Sequence, residues 1–169
     1  NGTISETAIE PLSNYASVAL RQDLNNGNTK LGGIFTAVNR QLDEIQLTEL
    51  HKQAYTAGID FRHTDNAHRW RIDARTYGSY VQGSANAISN TQLSSSHLFQ
   101  RPDAPWVNYD STRTSLSGYG GSASIGQYSG KFQSSIKFNF RSPGLELNDI
   151  GFISETDDIT QNVWMRYNI

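Results

Sequence analysis

A chain of 169 residues can bury a core, yet 36% hydrophobic content and a mean hydropathy of −0.56 are poor material for a soluble one. A formal net charge of −2 argues against a nucleic-acid binder, and the absence of cysteine excludes disulfides and thiolate metal sites. Aromatics at 11% argue against disorder, so a β-structure with one wet face fits best.

No secretory signal begins the given sequence, and its start at Asn1 reads as a processed or truncated end. The first predicted strand is Asn14–Asp23, with Ala16, Val18 and Leu20 on one face and Ser17 and Arg21 on the other. A short turn, Leu24–Thr29, carries the hairpin signal Asn26-Gly27. Leu31–Arg40 is a glycine-containing strand, and the longer connection Gln41–Gln53 leads into one or two helical turns expected within Leu47–Ala54. In Ala54–His63, Tyr55, Ala57, Ile59 and Phe61 alternate with Thr56, Gly58, Asp60 and Arg62. Thr64–His68 is a short turn. In Arg69–Tyr80, Trp70, Ile72 and Ala74 alternate with Arg71, Asp73 and Arg75.

Gly83–Thr114, with Pro102 and Pro105, is a very long irregular connection. Ser115–Ile125 is a Gly- and Ser-rich strand, and Gly126–Gly130 is short. Lys131–Arg141 alternates most cleanly: Phe132, Ser134, Ile136, Phe138 and Phe140 oppose Lys131, Gln133, Ser135, Lys137, Asn139 and Arg141. Ser142–Gln161 is long and contains Pro143-Gly144. In Asn162–Ile169, Val163, Met165, Tyr167 and Ile169 share a face.

No apolar run approaches the roughly 18 residues of a membrane helix, but that excludes helical spans only. A strand of about 10 residues crosses a tilted bilayer path. Short and long connections alternate, as the periplasmic turns and extracellular loops of outer-membrane barrels do. The expected fold is therefore all-β: one domain over residues 1–169, an antiparallel up-and-down transmembrane β-barrel present as a segment of about seven strands. An odd strand count leaves two unpaired edges, which hydrocarbon does not tolerate. Further strands are expected from the same polypeptide or another chain.

Several ordered motifs carry a family resemblance. They are Glu10-Pro11-Leu12-Ser13-Asn14-Tyr15, Gly32-Gly33-Ile34-Phe35-Thr36-Ala37-Val38-Asn39-Arg40, Gly78-Ser79-Tyr80-Val81-Gln82-Gly83-Ser84, Gln100-Arg101-Pro102-Asp103-Ala104 and Ser142-Pro143-Gly144-Leu145-Glu146-Leu147-Asn148-Asp149-Ile150-Gly151-Phe152. From Glu10 onward the chain resembles the barrel of a family of large outer-membrane proteins, domain-of-unknown-function family 5916, common in Bacteroidota. In that family the barrel follows an N-terminal domain similar to family 9 carbohydrate-binding modules, which this chain lacks. The resemblance implies a bacterial outer-membrane location and a larger barrel, and it brings no catalytic residues or cofactor.

Ser96-His97 with Asp103 nearby suggests a nucleophile set only superficially. Adjacent residues point apart in an extended chain, and no nucleophile elbow surrounds Ser96. His51, His63, His68 and His97 lack helical metal-ligand spacing, although His63 and His68 flank a turn and could meet across it. Glu155, Asp157 and Asp158, with Asp149 upstream, are weak calcium candidates without EF-hand spacing. The sequon Asn1-Gly2-Thr3 carries little weight in a bacterial outer-membrane protein, and Gly118, Gly120, Gly121 and Gly126 relieve crowding in a curved wall.

The charged strand faces say more. Arg21, Asp60, Arg62, Arg71, Asp73, Arg75, Lys137 and Arg166 oppose apolar faces. A Lys or Arg facing lipid at the midplane costs about 2–4 kcal/mol, so these line the expected lumen, while Trp70, Ile72, Phe132, Ile136, Phe138 and Phe140 face lipid. A charged lumen selects solutes, and a ladder of cross-strand ion pairs filling a plugged barrel explains the same residues equally well. The expectation is a non-enzymatic, porin-like or surface-complex barrel that handles or anchors polar ligands, glycans among them. Its partners are the bilayer, further strands and outer-membrane complex proteins, without nucleic acid. The alternatives are a docking barrel without conductance and a soluble β-sandwich binding module.

Overall fold

A computed structural model describes residues 10–169, so the Asn1-Gly2-Thr3 sequon lies outside the described residues. Seven strands follow in chain order: β1 (Leu12–Leu24), β2 (Thr29–Gln41), β3 (His51–Thr64), β4 (Trp70–Gly83), β5 (Ser115–Gln127), β6 (Phe132–Arg141) and β7 (Asp158–Tyr167). They form one antiparallel sheet in sequence order, and β1 does not pair with β7. The sheet is open, with one unpaired edge on each of these two strands.

Turn chemistry fixes the hairpins. Asn25, Asn26 and Gly27 take left-handed φ values of 51°, 55° and 88° between β1 and β2, which Asn and Gly tolerate. Between β3 and β4 the Asp65 carboxylate accepts from the Arg69 and Trp70 amides at 2.6 and 2.8 Å. Gly130, at φ +93°, closes the turn into β6. These three short turns lie at one end of the sheet, and the connections 42–50, 84–114 and 142–157 lie at the other.

Several elements differ from the sequence reading. The helical piece before β3 is a single 3-10 turn, Ile45–Leu47, and the strand already begins at His51, with a bulge between His51 and Gln53. The long connection after β4 contains helix α1 (Ala85–Leu93). Ser84 caps it by accepting from the Ala87 amide at 3.0 Å, and its own hydroxyl donates to Thr48 O at 2.6 Å. β7 starts at Asp158 rather than Asn162, because Asp158 to Gln161 pair with Arg141 to Phe138. β1 and β2 also run a residue or two past their expected ends.

The hydrophobic core is small and eccentric. Val38, Ala54, Val81 and Leu116, one from each of β2 to β5, meet Ile88 of α1 and Phe99. Leu145 is fully buried beside them, over Gly118. Each large side chain buried here contributes about 1.5–3 kcal/mol. Thus connections 84–114 and 142–157 form a cap over one face of the sheet, at the long-connection end only.

Candidate functional site

The register sorts the side chains of all seven strands. Ile72, Ile125, Ile136 and Val163 align across β4 to β7, and Val18, Phe35 and Ala57 align across β1 to β3. Within the strands, outside the His51–Gln53 bulge, every Lys, Arg, Asp and Glu falls on the opposite face. The apolar face stands uncovered: Leu20 is 75% exposed, Ile59 65% and Ile136 57%. Trp70, Ile72, Phe132 and Phe138 share that face and are exposed. Phe140 is half-buried there, 6.1 Å from the Phe138 ring and edge-on to Tyr119 at 6.2 Å.

Aromatic side chains mark both rims of this face. Tyr55, Tyr80 and Tyr119 stand near the long connections, with Trp70, Phe132 and Tyr167 near the short turns. From Trp70 to Tyr80 the chain rises about 33 Å at 3.3 Å per residue, or about 23 Å along an axis tilted by 45°. A barrel's lipid-facing band is about 25 Å tall between its aromatic girdles.

The charged face gathers all eight residues singled out in the sequence: Arg21, Asp60, Arg62, Arg71, Asp73, Arg75, Lys137 and Arg166. Arg21, Gly32, Asp60 and Arg75 form one cross-strand row. Lys30, Arg62, Asp73, Ser124 and Lys137 form the next. Asp73 binds Arg62 at 2.5 Å and Arg71 at 3.0 Å, and Arg71 also lies 4.1 Å over the Tyr128 ring. Asp60 leans over Gly32, where any Cβ would collide with its carboxylate. A depression of about 500 Å³ opens here, with Leu147 of the cap at its edge.

The cap is fastened by polar groups far apart in sequence. Asp149 receives Arg40 Nη1 at 2.5 Å and meets His51 Nδ1 at 2.7 Å. Burial works to raise the Asp149 pKa, but the hydrogen bonds and charges of His51 and Arg40 outweigh it and hold the carboxyl below its ordinary value. His51 Nε2 lies 2.7 Å from Thr91 Oγ1, which completes a carboxylate–imidazole–hydroxyl order. Thr91 is buried mid-helix and donates to Ala87 O at 3.1 Å, so the trio has the character of a brace rather than of a nucleophile.

The chain around Ser96 is not the extended one that the sequence suggested. Residues 94–98 form a turn, and Ser96 Oγ lies 3.1 Å from His97 Nδ1, as does Ser94 Oγ. His97 Nε2 donates to Leu145 O at 3.0 Å, and the neighbouring carboxylate is Glu146 at 3.7 Å. Asp103 instead lies 3.7 Å from Arg101. Burial pushes the His97 pKa down, against the pull of Glu146 and the Leu145 carbonyl. This imidazole also serves to hold the cap.

The calcium candidates are distributed among cations. Asp157 pairs with Arg101, Asp158 lies 2.9 Å from Arg141 Nε, and Glu155 is exposed. His63 Nδ1 bonds Thr29 Oγ1 at 2.9 Å. Among the described residues no group of three or more His, Cys, Asp or Glu is arranged to hold a metal ion. Gly118 makes room for the Leu145 backbone, Gly120 for the Tyr77 ring, Gly121 for the Phe140 ring and Gly126 for Ser135. Sequence reading missed the brace residues Arg40, Thr91 and Glu146, and for these no local pattern gives a signal.

The family model described as a domain of unknown function, DUF5916, matches residues 1–169. The chain belongs to this family. No curated protein and no solved structure matches it. In this DUF5916 chain no helix among the described residues is long and apolar enough to cross a membrane, which says nothing about strands.

Proposed function

We propose that the chain forms part of the wall of an outer-membrane β-barrel, a non-enzymatic porin-like or surface-complex protein that handles or anchors polar ligands. The observation that carries this reading is the uncharged, uncovered face running unbroken across seven strands in register. In water such a face is a liability. In a bilayer it is what a wall requires, and the aromatic rims lie at the right separation for it.

The edges of β1 and β7 support the same reading, because each offers unpaired backbone groups to a further strand. Those strands come from the same polypeptide or a partner chain. The cap favours a second version of the function, a docking barrel without conductance. It fills the charged side of the wall at one end and is pinned there by Asp149, His97 and the Ser79–Glu146 hydrogen bond of 2.9 Å.

Nitroxide labels at Ile136→Cys and Lys137→Cys of the full-length protein in lipid vesicles test the wall. The label at 136 should be relaxed by lipid-dissolved oxygen and the label at 137 by a water-soluble nickel complex. Two labels that respond alike, or a protein that stays monomeric in water without detergent, would overturn the reading. Planar-bilayer conductance then separates a pore from a docking barrel.

A further inference from the structure

The net charge of −2 hides a segregation of sign. On the charged face the carboxylates are Asp23, Asp60, Asp73 and Asp158, and cations outnumber them. Two of the four are spent locally: Asp73 on Arg62 and Arg71, and Asp158 on Arg141. Among the described residues Arg21, Lys30, Arg75, Lys137 and Arg166 have no carboxylate within 4.0 Å. The first three border the depression of about 500 Å³. That size is within the range of small-molecule sites.

Spacing narrows the ligand. Arg21 on β1 and Arg75 on β4 are three strand spacings apart, about 14 Å. Side chains stand roughly perpendicular to a sheet, so the two guanidinium groups offer separate contacts that one small anion does not span. An extended anion can, with Lys30 between and the guanidinium forks gripping planar or tetrahedral oxyanions. Asp60, set between the two arginines, offers an acceptor for a hydroxyl or protonated group.

We infer that this face binds an elongated polyanion, with its carboxylate, sulfate or phosphate groups on Arg21, Lys30 and Arg75. The inference rests on the proposed wall and names the solute class its charged side takes. Calorimetry of the full-length protein, folded in detergent micelles at low salt, tests it with three probes. Oligogalacturonate presents carboxylates, linear polyphosphate presents phosphates, and maltotriose is neutral.

Saturable binding of either polyanion, weakening steeply with added salt and absent for maltotriose, supports the site. Whichever probe binds identifies the oxyanion. The pair Arg21→Gln and Arg75→Gln should weaken binding about tenfold or more, while Lys131→Gln, beside the short turn into β6, leaves it unchanged. Arg75→Lys retains charge and reads out the site if the double variant does not fold. No polyanion binding by protein shown to be folded, salt-independent binding, or equal binding of maltotriose overturns the inference. None of these outcomes touches the nitroxide result, so the wall and the site fail separately.

Discussion

Ile136 sits midway along β6 between Phe132 and Phe140, on the face without charges, and is 57% exposed. Ile136→Lys distinguishes a wall in lipid from a sheet in water. If the face meets water, the ammonium is hydrated and the change costs within about 0.5 kcal/mol, as surface substitutions do. If it meets hydrocarbon near the midplane, the cost is about 2–4 kcal/mol. That is about 30- to 700-fold in the folding equilibrium, at tenfold per 1.4 kcal/mol. Urea titration of the full-length protein in lipid vesicles, read by circular dichroism, measures the difference. Ile59→Lys, at the middle of β3, should behave alike, and Lys137→Gln should cost far less. A cost below about 0.5 kcal/mol at both isoleucines would refute the reasoning, since no arrangement of lipid against this face makes a lysine neutral there.

Asp149→Ala leaves Arg40 and His51 half-buried without their carboxylate, and should loosen connection 142–157 by about 2–3 kcal/mol, below the 3–5 of a fully buried pair. Hydrogen exchange of that connection reports it. Acidification should loosen the same region through His97. Its folded pKa lies below the ordinary 6.5, so the unfolded chain holds the extra proton between the two values, and stability present above 6.5 is lost as pH falls through the folded value. Limited proteolysis across pH 7 to about 4 should show earlier cleavage of the cap, and an unchanged pattern defeats this role for His97. Gly118→Ala drives a Cβ into the Leu145 backbone and should cost about 1–3 kcal/mol, whereas Gly33→Ala, whose Cβ would meet nothing closer than Gly58 O at 3.9 Å, should be near neutral by thermal melting.

The strands were legible because a sheet face repeats its environment every second residue, and Phe132, Ile136 and Phe138 report that environment without knowing their partners. The alternation of short and long connections followed from the same segments. The start of β7 was missed because Asp158-Ile159-Thr160-Gln161 offers a single apolar side chain, and only its pairing with β6 defines it as a strand. Helix α1 hides in Ala85–Leu93 because it buries only Ala87 and Ile88 among its apolar residues, too few for a visible stripe. The cap's fastenings are contacts at long range: Arg40 and Asp149 are separated by 109 positions. Nothing in the neighbourhood of either residue announces the other.

That separation has a consequence for the order of assembly. Each neighbouring strand pair joins segments adjacent in the chain, so closing a hairpin requires only a short loop, apart from the β2–β3, β4–β5 and β6–β7 pairs. The fastening of Arg40 and His51 to Asp149 closes the largest loop described, and its entropic cost is lowest once β2 through β6 have brought the two ends together. Zippering of the sheet should therefore be early and local, and the locking of 142–157 late. Until the cap is seated, the pocket that takes the Leu145 backbone over Gly118 would stand open to water, so slow docking of 142–157 should leave that end of the sheet the most easily cleaved.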